Sequence, residues 1–531
     1  MPVNVLVAEP MAAAGLDLLR SQPDWNVVVS NPKEYLEHLP EAEALIVRSA
    51  AKVTREVLEK APRLRVIGRA GVGVDNVDLE AATAAGVLVM NTPGGNAVSV
   101  AEHTLALMLA LARAVPQASA STRGGKWEKK KFLGNELRGK TLGIIGLGSI
   151  GREVVRRARA FEMRFLAHDP YVNPQSAADL DIELADLPRL YAESDYISLH
   201  TALTPETRRL LGHEAFAQMK TGVRIINCAR GEMIDQEALQ EAIQAGKVAG
   251  AALDVFAKEP PAADDPLLSV ETLVATPHIA GSTEEAQEIV GVRIAEQLVD
   301  YLQHGIAINA VNMPALTPEQ YRVLGPYIGL AERLGCFAAQ IATGNPRAVY
   351  FIYSGQIGDG STHLLRNAGL VGLLSRWLSE RATLVNAMQI AAQRELTVIE
   401  RHEQRGARVE SVRLELETDA GLTSAEGALV LGRPRLIQVD GIVCEAPLGG
   451  HLIFMKNQDV PGVIGHVGTV LGRNHINIAN FSLGRRDRPS KPGEPLEAVA
   501  VVETDGLVPD PVLAELKENP AIRVARAVEL P

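Results

Sequence analysis

The chain has 531 residues, with 53 Lys and Arg against 64 Asp and Glu and a formal net charge of −11. At about 150 residues per domain this length implies three or four domains, and the acidic balance excludes a protein that coats nucleic acid, which needs a cationic face along the phosphates. Apolar residues make up 47% and charged ones 22%, enough for several buried cores and unlike a disordered chain. Cys228, Cys336 and Cys444 each lie more than 100 residues from the next, so neither a disulfide framework nor a cysteine metal site is expected. The start, MPVNVLVAEPM, lacks a positive region and reads as a strand, not a signal peptide. The apolar stretch 97–115 is interrupted by Glu102 and His103 and reads as a buried helix, since a membrane span needs about 20 nearly uncharged residues. A reducing cytoplasm is the expected compartment.

In chain order, β-branched runs at 3–8, 44–48, 64–69 and 87–91 alternate with helical patterns at 11–21, 54–60 and 77–85, followed by the long helix 97–115. A second series of apolar strands covers 141–145, 164–168, 196–200, 224–227, 249–254 and 272–275. Such alternation implies parallel strands with crossover helices, covered on both faces. A helix runs from about 285 to 303, and 305–317 reads as a linker. Residues 318–450 read as a separate α+β unit: a helix at 327–342, a strand at 348–354, a helix-rich middle to Arg405, then alternating runs at 411–417 and 435–444. The last 80 residues read as strand 452–456, a helix to 473, strand 476–483, a Pro/Gly/Arg-rich turn, strand 498–504, a helix after Pro511 and strand 523–528. That order is βαββαβ, the ferredoxin-like arrangement.

The strand at 141–145 runs into Gly146-Leu147-Gly148-Ser149-Ile150-Gly151, and a helical pattern follows at once. Gly146 suits the tight turn, Gly148 a close approach to a pyrophosphate, and Gly151 helix-to-sheet packing, with the helix N-terminus offering amide donors. Asp169 stands 18 residues beyond Gly151, where a carboxylate accepts hydrogen bonds from ribose hydroxyls and repels a 2′-phosphate, predicting NAD over NADP. Arg230, Glu259 and His278 follow the ends of later strands, the edge at which doubly wound sheets bind ligands. Hydride transfer at a hydroxy acid needs a guanidinium for the carboxylate and an acid/base for the hydroxyl proton, and a carboxylate beside the imidazole would orient it. Taken singly, Arg230 also reads as a surface ion pair, Glu259 as a turn residue and His278 as a helix-start side chain.

These motifs, with Asn227-Cys228-Ala229-Arg230-Gly231, Ala252-Leu253-Asp254-Val255-Phe256, Glu259-Pro260, Thr276-Pro277-His278-Ile279-Ala280-Gly281, the Gly68–Asn76 run and Asn91-Thr92-Pro93, resemble in order and spacing the D-isomer-specific 2-hydroxyacid dehydrogenases. The resemblance spans about residues 1 to 310. It implies a substrate-binding domain split into 1–96 and 285–315, around an NAD-binding Rossmann domain at 97–284. The helix 97–115 would be a hinge and dimer element. It further implies cofactor contacts at Ser149, Ile150, Thr201, Cys228, Ala229, Asp254 and Gly281, beside Gly146, Gly148, Gly151, Asp169, Arg230 and His278. Val72 stands where related sequences often carry Thr, so a cofactor contact there would be through backbone or packing.

Over nearly its full length the chain resembles the long-form phosphoglycerate dehydrogenases. This implies an α+β intervening domain at 316–450 and a ferredoxin-like ACT regulatory domain at 451–531, the latter carried by Asp459-Val460-Pro461-Gly462-Val463-Ile464-Gly465 and Asn474-His475-Ile476-Asn477-Ile478. The fold class is thus α/β, with two doubly wound parallel-sheet domains followed by two α+β domains. The implied substrate is D-3-phosphoglycerate, faced by Arg48, Arg69 and Asn96 together with Arg230 and His278, with Lys129-Lys130-Lys131 reaching a neighbouring subunit's site. The implied effector is L-serine, bound between subunits of a homo-oligomer near Asn457, Asp459 and Asn477. The rival readings are another D-2-hydroxyacid dehydrogenase, acting on glyoxylate or hydroxypyruvate, and a non-catalytic NAD-sensing interaction protein.

Overall fold

A computed structural model describes residues 2–355, 357, 362–377, 382–403, 410–488 and 495–531. Its strands form four sheets. The first holds β1 (Val3–Val7), β2 (Trp25–Val29), β3 (Ala44–Val47), β4 (Val66–Arg69) and β5 (Leu88–Met90), all parallel in the order β2-β1-β3-β4-β5. Strand β2 escaped the sequence reading because it lies at the sheet edge, only partly buried, and lacks the continuous apolar run of β3. Helix α1 (Ala13–Arg20) packs on this sheet. Helix α2 (Ala97–Arg113) stops two residues short of its expected end, because Ala114 turns left-handed (φ 48°) and the chain bends by 63° into α3 (Val115–Arg123). Among the described residues no single helix is long and apolar enough to cross a membrane.

The second sheet comprises β6 (Thr141–Ile145), β7 (Arg164–His168), β8 (Glu183–Leu184), β9 (Tyr196–Leu199), β10 (Val223–Asn227), β11 (Val248–Leu253) and β12 (Leu273–Ala275). Its order is β12-β11-β10-β9-β6-β7-β8, again all parallel. The order reverses between β6 and β9, the crevice where doubly wound sheets take ligands. Helix α4 (Ser149–Ala158) follows β6, and Val154, Val155 and Ala158 bury its apolar stripe. Helix α5 (Glu284–His304) then returns to the first sheet, laying Val290, Ile294, Ala295 and Leu298 against Val66, Leu88 and Met90.

The third sheet differs most from expectation. Helix α6 (Pro318–Ile341) starts nine residues earlier than the periodicity suggested, where Thr317 and Gln320 form a capping box. It packs with α7 (His363–Leu374) over the sheet β14-β13-β15-β16-β17-β18. The strands are β13 (Pro346–Ser354), β14 (Thr397–Glu403), β15 (Ser411–Thr418), β16 (Gly421–Val430), β17 (Arg433–Val439) and β18 (Ile442–Pro447). The supposedly helix-rich middle therefore ends in a strand, with Arg405 outside the described residues, and β16 was unforeseen. The single run at 435–444 is two strands, because Asp440 and Gly441 both turn to positive φ (48° and 78°) and make a hairpin.

The fourth sheet has β19 (Gly450–Gln458), β20 (Ile478–Arg485), β21 (Glu497–Thr504) and β22 (Ile522–Leu530), antiparallel in the order β20-β21-β19-β22. Helices α8 (Val463–Arg473) and α9 (Asp510–Leu516) cover one face. The expected βαββαβ order is present; the turn read as Pro/Gly/Arg-rich falls largely on 489–494, outside the described residues. The other face shares a core with the third sheet, where Phe337 meets Phe454 edge-on at 5.8 Å between ring centroids.

Candidate active site

The nucleotide loop is built by β6 and α4. Gly146 has φ 96°, and a Cβ there would lie 2.7 Å from the His200 carbonyl, so both turn and close packing demand glycine. A Cβ on Gly148 would meet nothing within 4 Å, and α4 begins there with no side-chain cap. Open space before uncapped amides fits a dinucleotide pyrophosphate. Ser149 and Ile150 form the first turn of α4. Asp169 directly follows β7, and its carboxylate is fixed by the N–H groups of Leu147 (2.8 Å) and Tyr171 (2.9 Å), which leaves further lone pairs for ribose hydroxyls. Thr201, Cys228, Ala229 and Asp254 follow β9, β10 and β11 on the same edge. Burial pushes the Cys228 thiol up to about 12 and holds His200 down to about 4, so the first is no nucleophile and the second stays neutral.

Asp254 is fully buried. Its carboxylate accepts from Thr276 Oγ1 (2.6 Å) and from the N–H groups of Ile279 and Ala280 (each 2.9 Å). Burial pushes this carboxyl up, but the hydrogen bonds win and hold it below the usual range. Its oxygens thus serve the loop that carries His278 and Gly281, and any cofactor contact there competes with these bonds.

Glu259 and His278 do meet. His278 Nδ1 stands 2.7 Å from Glu259 Oε2, while Glu259 Oε1 accepts from the Phe256 N–H at 3.0 Å. A carboxylate can only accept, so Nδ1 carries the proton of this contact, and in the neutral imidazole the lone pair lies on Nε2. The His278 side chain is about half exposed (51%), open to a substrate.

Arg230 reaches across to the first sheet's loops. Its Nε and Nη2 donate to Asp75 Oδ2 at 3.0 and 2.8 Å, and Nη1 donates to the Ala229 carbonyl. A Cβ on residue 73 would lie 1.9 Å from Arg230 Nη2, so Gly73 makes room for the guanidinium. Arg69 is lowered to about 10, first by burial and then by the Arg230 charge, with a further contribution from Arg48. Three guanidiniums therefore share one neighbourhood, tempered by Asp75 and Glu9, and such clustered cations favour an anionic ligand. The buried Glu9 accepts the N–H groups of Arg48, Ala50 and Ala51 through Oε1, and Arg48 Nη1 donates to the Pro10 carbonyl at 3.0 Å. Asn96 stands beside Gly281, and its Oδ1 is enclosed without a partner. Lys131 does not join this cluster: it pairs with Glu271 at 2.7 Å, just before β12 and so at the opposite edge of the second sheet.

Sequence reading missed Asp75 and Glu9. Asp75 sits inside the glycine run that carried the resemblance, but nothing local marks it as the partner of a residue 155 positions away.

Three family models match the chain: the NAD binding domain of the D-isomer specific 2-hydroxyacid dehydrogenases at residues 105–280, the D-3-phosphoglycerate dehydrogenase intervening domain at 323–440 and the ACT domain at 451–521. D-3-phosphoglycerate dehydrogenase from Methanocaldococcus jannaschii is 43% identical over 99% of this chain and 100% of its own length. The chain belongs to the D-3-phosphoglycerate dehydrogenase family. The enzyme of that name from Archaeoglobus fulgidus is 42% identical over 99% of this chain and all of its own. Among solved structures, an NAD-dependent formate dehydrogenase from Staphylococcus aureus in complex with NAD covers 57% of this chain and 96% of its own, at 29% identity and a TM-score of 0.51. As a member of this family the chain is an NAD-dependent oxidoreductase.

In its ACT domain the expected effector residues do not meet within one chain. Asp459, after β19, pairs with Arg485 at 3.2 Å, whereas Asn477, before β20, donates to Asp505 at 3.0 Å. Eight residues of β20 separate these two ends, roughly 25 Å at about 3.3 Å per residue. Asn457 is buried and gives its amide to the Gln458 carbonyl.

Proposed function

We propose that the chain oxidises D-3-phosphoglycerate to 3-phosphohydroxypyruvate with NAD, the step that opens L-serine synthesis. When bound, NAD supplies the hydride acceptor. His278 Nε2 takes the proton from the substrate's 2-hydroxyl, and Glu259 stabilises the imidazolium that results. Arg230 holds the carboxylate and polarises the forming carbonyl, while Arg48, Arg69 and Asn96 face the rest of the substrate, with the two guanidiniums suited to its phosphate. The observation that carries this reading is the Glu259–His278 contact at 2.7 Å on the same sheet edge as the nucleotide loop. The test is steady-state oxidation of 3-phosphoglycerate with NAD, beside glycerate and lactate. Equal kcat/KM for the phosphorylated and unphosphorylated acids would overturn the substrate assignment, and tight NAD binding without turnover would favour the non-catalytic rival.

L-Serine is the proposed effector, and the chain is proposed to act as a homo-oligomer. β20 lies at a sheet edge, and antiparallel pairing of this edge with a second copy would set Asn477 of the partner subunit beside Asp459. The carboxylate could then take the ammonium of serine and the amide its hydroxyl. The free, buried thiols of Cys228 and Cys444 suit a reducing cytoplasm, where we place the chain. The domain boundaries offered are 1–96 with 285–315, 97–284, 316–450 and 451–531.

A further inference from the structure

Behind the proposed base lies a histidine that the mechanism above does not use. Asn96, Ser99 and His103 follow one another at spacings of three and four, so they share one face at and beyond the start of α2. That face runs along the loop 276–283. Asn96 stands beside Gly281, Ser99 Oγ is 2.7 Å from Thr283 Oγ1, and His103 Nε2 is 3.2 Å from Thr276 Oγ1 and 3.4 Å from Asp254 Oδ1.

Asp254 ties the loop together. Besides the three donors to its carboxylate, its backbone carbonyl accepts the His278 N–H at 2.8 Å, and His278 itself sits at φ 54°, a conformation its surroundings must impose. A fully buried carboxylate is costly without a strong donor. Among the described residues, His103 is the one titratable side chain paired with it. With only 19% of its side chain accessible, His103 is walled in between α2 and this loop.

We propose that His103 is a positioning residue: by bonding Asp254 and Thr276 it fixes the loop 276–283, and through it the angle at which His278 meets the substrate. This rests on the assignment of His278 as the base. His103 touches neither substrate nor cofactor in this scheme. The same helix carries Asn96 on the substrate side, so α2 ties the orientation of the base to the cleft that the base serves.

A group that merely filled space would affect stability and spare the chemistry. A positioning group lowers kcat, because a displacement of about 1 Å in a reacting group costs up to about 100-fold, while binding groups elsewhere keep KM. Steady-state kinetics with 3-phosphoglycerate and NAD on His103→Ala, His103→Gln and His278→Ala, each in the full chain, decide the matter. His103→Ala is expected to lower kcat about 10- to 100-fold with both KM values within about threefold. His103→Gln, whose amide reaches about as far as Nε2, is expected to return kcat to within about threefold of the parent. If His103→Ala does not fold, His103→Gln against His103→Asn decides, since only the longer amide reaches Asp254; equal kcat in those two overturns the proposal. Parental kcat in His103→Ala with loss in His278→Ala overturns this inference alone. Parental kcat in His278→Ala overturns the assignment of the base and this inference with it.

Discussion

The second and fourth sheets handle sequence-distant residues in opposite ways. In the parallel sheet every strand ends at the same edge, so Gly146, Asp169, Arg230 and the loop carrying Glu259 and His278 are collected there by topology alone. In the antiparallel ACT sheet, Asp459 leaves one strand while Asn477 enters the next, and the two lie at opposite ends of β20. A parallel sheet can therefore complete a site within one chain. An antiparallel one of four strands needs a second copy to bring these groups together.

The largest expected effect tests the site that one chain completes. His278→Ala should lower kcat by about 100-fold or more, the scale of lost acid/base catalysis, with NAD affinity by fluorescence titration near that of the parent. Near-parental turnover would remove the imidazole from the mechanism. Next in size, Gly73→Ala should imitate the loss of Arg230 without touching it. The added Cβ, 1.9 Å from Nη2, displaces a guanidinium already tied to Asp75 and Ala229. A fall of about 10- to 100-fold in kcat/KM for 3-phosphoglycerate is expected, the range of a lost charge-assisted hydrogen bond. An unchanged kcat/KM would show that Arg230 has somewhere else to go.

Much of this architecture was readable because its signals are local. Strand β3 is apolar throughout and β6 and β9 nearly so, interrupted only by Thr141 and Ser198, and a glycine-rich turn between a strand and a helix has few other uses. The third sheet was harder for the same reason in reverse. Strand β14 exposes Thr397, Arg401 and His402, so its pattern offered little to separate strand from helix, and the β17–β18 hairpin hid in one alternating run. The partners that orient the site were the least legible. Asp75 with Arg230, Glu9 with the Arg48 loop and His103 with Asp254 are pairings across 155, about 40 and about 150 positions, and no periodicity connects them.

A smaller effect is expected at the nucleotide loop. Asp169→Ala should raise the KM for NAD about tenfold and relax the discrimination against NADP, as losing a charged hydrogen-bond acceptor implies. The substitution also frees the Leu147 and Tyr171 N–H groups, so a measured Tm guards against mistaking loop disorder for lost ribose contact. Unchanged cofactor preference would count against the ribose role.

The smallest effect bears on the ACT sheet and distinguishes one chain from two. Asp459→Asn and Asn477→Ala should each raise the serine concentration that halves activity by about fivefold or more, the lower range of allosteric coupling, while kcat without serine stays within about twofold. If the effector site spans two copies, each variant spoils both sites of a dimer. A mixed dimer, however, has one site with both faults and one that joins the intact Asp459 of one chain to the intact Asn477 of the other. Unfolding and refolding the two variants together should therefore restore part of the serine response that neither has alone. A mixture as insensitive as its components would mean that the two residues act within a single chain or not on serine at all, and the contrast between the sheets would then be one of shape without consequence for where ligands bind.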